Sequence, residues 1–150
     1  MTTQTTLDRT PLAEVGRIKT MTAETPRGGA EFAKFLLARI AEDADRARTF
    51  LADNHEALKR AGAPWPSMAL AGVERVLAEC AAKRAIVERY VDNLDLALSY
   101  RKLPTTGYAA ADRLEHQLQE ARLATSLEAC VALVAVYADH PDYDDTWIPR

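Results

Sequence analysis

Residues 31–61 read EFAKFLLARIAEDADRARTFLADNHEALKRA. Phe32, Leu36, Ile40, Ala44, Ala47, Leu51 and Leu58 recur three, four or seven residues apart. That is the period of a helix with one apolar stripe, which Phe35 and Phe50 widen. Arg39/Asp43 and Glu42/Arg46 are spaced for ion pairs on the solvent side. Nothing in the stretch breaks a helix until Gly62 and the turn Ala63-Pro64-Trp65-Pro66. A helix this long must lay its stripe against other helices, and that sets the fold class.

The pattern repeats downstream. Ser67 is a candidate N-cap. Val73, Leu77, Cys80, Val87, Val91, Leu94 and Leu98 form a second stripe that runs to about Leu103, with Arg84 interrupting it between Cys80 and Val87. Pro104-Thr-Thr-Gly107 is the next break. A third pattern starts near Tyr108 and continues through Ala111, Leu114, Leu118 and Ala121. Thr125 followed by Glu128 has the spacing of a capping box. The span 108–138 is therefore either one helix or two, the last carrying Leu127, Val131, Val134 and Tyr137. Residues 131–137 offer the one strand candidate, and the helical pattern before them outweighs it. Short connections between long amphipathic helices favour antiparallel neighbours. The expected fold is all-α: an antiparallel up-down bundle of three to four long helices, with an extended N-terminal arm and an ordered C-terminal tail. In domain terms, residues 1–28 read as a flexible arm and 29–150 as a single helical domain. Met21, just ahead of the first helix, leaves a later natural start open beside Met1.

Composition excludes several function classes. The 150 residues are 48% apolar and 27% charged, with a formal net charge of −3. Nucleic-acid binding calls for a basic excess or stripe, and the chain has neither. No run approaches a membrane span and the N-terminus lacks an apolar signal core, so the expected location is the cytoplasm. Cys80 and Cys130 both fall on apolar patterns and read as small buried hydrophobes.

Chemistry-bearing residues crowd at the C-terminus, YADHPDYDDTWIPR (137–150). Asp139, His140 and Asp142 are the ligand types for a divalent metal, but their spacing matches no calcium loop or zinc motif. The simpler reading is structural. Pro141 disfavours helix at His140, so the last helix stops near Ala138 or Asp139. Asp139 or Asp142 then satisfies backbone donors in the turn, and Tyr143 and Trp147 anchor the tail on the bundle. Elsewhere, Glu42 and Asp45 form a single Glu-x-x-Asp unit where a magnesium pyrophosphatase needs two. His55-Glu56 lacks the second histidine of a zinc-protease helix, because Lys59 stands there. No phosphate loop or nucleophile elbow is present. Arg84 occupies a stripe position, where its stem would be buried and its guanidinium would reach Glu42, Asp43 or Asp139. Arg39, Glu42, Asp43, Lys83, Arg84 and Asp139 form a candidate cluster, read either as a structural ion-pair group or as an interaction notch. No cofactor is implied.

Three stretches together resemble an uncharacterised family of actinobacterial and actinophage proteins, a domain of unknown function. They are Phe35-Leu-Leu-Ala-Arg-Ile-Ala-Glu-Asp43, Arg75-Val-Leu-Ala-Glu-Cys-Ala-Ala-Lys-Arg-Ala-Ile-Val87, and Tyr137-Ala-Asp-His-Pro-Asp-Tyr143 with Trp147. The resemblance spans about 32–150. It implies a small soluble protein found near mobile elements, and no reaction. It also implies relatives with a histidine after the second motif, and a Cys-x-x-Cys unit plus a further cysteine that suit a structural zinc. This chain departs from that set: Tyr90 stands near the histidine position, and Cys130 alone matches a cysteine.

The functional expectation is a small non-enzymatic accessory or interaction protein that binds an unidentified protein partner. It is expected to form a homodimer built on residues 67–103 and 108–124, where Leu96, Tyr100 and Leu103 extend the apolar surface. The alternatives are a metal-dependent hydrolase using Asp139, His140 and Asp142, and, more weakly, a DNA-binding regulator.

Overall fold

The computed structural model describes residues 28–102 and 110–148. The N-terminal arm, Leu103 and the 104–107 break lie outside the described residues, apart from Gly28. The chain is all-α, and its described residues form three long helices: α1 (Gly29–Ala61), α2 (Trp65–Arg101) and α3 (Ala110–Val134). Single 3-10 turns follow at Ala135–Tyr137 and Asp145–Trp147. Among the described residues there is no strand, and residues 131–137 are helical. No helix among them is long and apolar enough to cross a membrane.

The turn between α1 and α2 is tighter than its two prolines suggest. Gly62 takes φ 74°, a left-handed backbone that side chains disfavour, and its N–H closes on the Lys59 carbonyl at 3.2 Å. α2 starts at Trp65, not after Ser67. Pro66 fits its first turn, where a missing N–H has no partner to lose. The 108–138 ambiguity resolves as one α-helix to Val134. Thr125 is an interior residue whose hydroxyl donates back to the Ala121 carbonyl at 3.0 Å, and Ser126 does the same to Arg122 and Leu123. A hydroxyl spent on the preceding turn is not free to cap.

α2 lies between the other two helices, antiparallel to each. Phe32 near the start of α1 meets Tyr90 late in α2. Asn93 of α2 donates to Ser126 of α3 at 3.1 Å, and Arg101 grips Glu120 with two bonds of 2.8 Å. The core gathers at one end of the molecule. It takes Phe32, Phe35, Leu36 and Ile40 from α1, Cys80, Val87, Tyr90 and Leu94 from α2, and Leu123, Leu127, Cys130 and Val134 from α3. Beyond it the α1–α2 hairpin continues as a two-helix projection in which Val73 is buried and Leu51 and Leu58 are half-buried. Phe50, Trp65, Met68 and Val76 are exposed on this projection.

Candidate functional site

The C-terminal motif folds back along α1, and Phe35 is the reason it can. The ring of Phe35 meets four aromatic rings of the tail: Tyr137 at 6.4 Å, His140 at 5.7 Å, Tyr143 at 6.3 Å and Trp147 at 4.8 Å between centroids. Trp147 is 7% exposed and also packs edge-on against Phe32 at 5.8 Å. Edge-to-face packing at such distances is the geometry aromatic quadrupoles prefer. The α-helix gives way to a 3-10 turn at Ala135, earlier than Pro141 alone requires. Asp144 then caps the last turn, accepting from the Thr146 N–H at 2.9 Å. The Thr146 side chain, and after it this N–H, hold the Asp144 carboxyl below its ordinary range. The cap is thus Asp144, not Asp139 or Asp142.

One turn along α1, the charged residues meet the same tail. The Arg39 guanidinium lies 5.3 Å from the Phe35 ring centroid and donates to Glu42 at 2.6 Å and to His140 Nδ1 at 2.9 Å. Its Nη1 also touches His140 Nε2 and stands 3.6 Å from the Asp142 carboxylate. Asp43 pairs with Arg46 at 3.2 Å and accepts from the Tyr137 hydroxyl at 2.8 Å. Burial, with this bond to Asp43, pushes the Tyr137 hydroxyl well above its ordinary value. The α1 ion pairs beside the tail are therefore Arg39–Glu42 and Asp43–Arg46, not the expected Arg39/Asp43 and Glu42/Arg46.

Of the candidate cluster, the structure brings Arg39, Glu42 and Asp43 to the tail. Lys83 borders a neighbouring hollow of about 290 Å³ between α1 and α2, with Asp43, Ala47 and Val76. Arg84 is exposed and makes no cross-helix bond among the described residues, and Asp139 is exposed. Both His140 ring nitrogens face a guanidinium, and the Asp142 N–H donates to Nδ1 at 3.1 Å. A metal ion would need the single ring lone pair of a neutral imidazole, which these donors already face. Among the described residues, no three His, Cys, Asp or Glu side chains converge to hold one.

A further concavity was not singled out by the sequence reading. It is an open groove of about 830 Å³ between α2 and α3. Ala121, Thr125 and Ala129 form the α3 wall; Ala85, Ile86, Arg89, Asp92 and Asn93 form the α2 wall, with Arg122 at the rim. The signal for it was present: small residues at i, i+4 and i+8 on the flank of α3 away from Leu123, Leu127 and Cys130. Neither Arg89 nor Arg122 makes an ion pair among the described residues.

No curated protein and no solved structure matches the chain. A family model does: it aligns with residues 29–149, from the first residue of α1 past the buried Trp147. Those bounds enclose the three helices and the folded tail together, and the chain belongs to this family of unknown function, DUF6221.

Proposed function

We propose that the protein is a small non-enzymatic accessory protein that binds a helical segment of a partner protein in the groove between α2 and α3. The groove itself carries this reading. An open trough of about 830 Å³, with the small side chains Ala121, Thr125 and Ala129 along its α3 wall, admits the ridge of an amphipathic helix. Ile86, 37% exposed, supplies an apolar contact, and the unpaired Arg89 and Arg122 favour acidic residues beside the partner's apolar face. By contrast, the most reactive-looking residues, those of the tail, are occupied in fastening it to α1. A role as an accessory factor near mobile elements, which the family resemblance implies, fits a binding module of this size.

The test is capture from the native host with the purified protein, chemical cross-linking and mass spectrometry. Cross-links from the partner should fall on 85–93 and 121–129. Ala121→Glu, at an exposed helical site, would fill the groove and neutralise its arginines, and should abolish capture while leaving the urea midpoint unchanged. Capture that survives Ala121→Glu with cross-links elsewhere would overturn the proposal.

A further inference from the structure

We draw no further inference here: the strongest candidate, the exposed apolar patch on the projecting α1–α2 hairpin around Phe50, Trp65 and Met68, carries nothing because nothing in the structure shows what covers it.

Discussion

Tyr90 is fully buried, and its hydroxyl finds no hydrogen-bond partner among the described residues. It shares the core with the Cys130 thiol, itself fully buried. The resemblance placed a metal-binding histidine near the first position and a cysteine at the second. Here the structure packs a phenol and a thiol into one apolar core, with Phe32 edge-on to the Tyr90 ring at 5.8 Å. An orphaned buried hydroxyl is unfavourable, so Tyr90→Phe is expected to leave stability unchanged or raise it by up to about 1 kcal/mol, read from the urea midpoint. Both groups also make the fold sensitive to alkali. Burial pushes Cys130 from 9.0 up to about 11; burial, with repulsion from Cys130, pushes Tyr90 from 10.0 up to about 12. Folded values above the unfolded ones mean the contribution is whole below pH 9 and is lost as pH rises through 11 to 12. The urea midpoint should fall over that window, and fall less steeply in Tyr90→Phe. A midpoint flat up to pH 11 would contradict the burial of both groups.

The joints between elements rest on a few long-range bonds. Tyr137 reaches Asp43 across 94 residues of sequence, and His140 reaches Arg39 across 101. Tyr137→Phe should cost about 1 kcal/mol, the ordinary net worth of one hydrogen bond. Tyr137→Phe combined with Asp43→Ala should cost less than the sum of the singles, because each removes the same bond. At the other joint, the Arg101 bonds hold the Glu120 carboxyl below its usual range, against burial, with His116 adding a smaller pull. A lowered carboxylate stabilises the fold at neutral pH, and that contribution is lost as pH falls through its folded value. The pair is partly exposed, so Glu120→Gln should cost less than about 1 kcal/mol and flatten the acid limb of the stability curve. These joints also mark how far sequence reading goes. The helices were legible because their stripes repeat every turn, and residues 31–61 alone establish a helix that needs partners. Tyr90 and Ala97 were not legible as core, because α3 covers α2 off the line of the Val73–Leu98 stripe and leaves Leu98 40% exposed. The tail's aromatic residues pointed to an anchor, but nothing in their spacing named Phe35 and Arg39 as its seat. The alanines of the α2–α3 groove carried no chemistry to draw notice until two helices set them face to face.

At the scale of the whole molecule, part of each of the three helices makes the core at one end, and residues 137–148 close it. Phe35 sits at the centre of this closure, with Trp147 as its largest cover. Removing the indole leaves a cavity against Phe32 and Phe35. Trp147→Ala should therefore cost on the order of 3 kcal/mol. His140 contributes a polar contact at the edge, and His140→Ala should cost about 1 kcal/mol. The central claim is that residues 137–148 are a structural clasp, which leaves the helix surfaces to carry function. Its most direct test is the urea midpoint of wild type, Trp147→Ala and His140→Ala, each measured in EDTA and again with added zinc or magnesium. The clasp predicts a large loss for Trp147→Ala, a smaller one for His140→Ala, and midpoints indifferent to chelator and metal. A neutral Trp147→Ala, with EDTA or His140→Ala collapsing the fold, would show a metal site in its place.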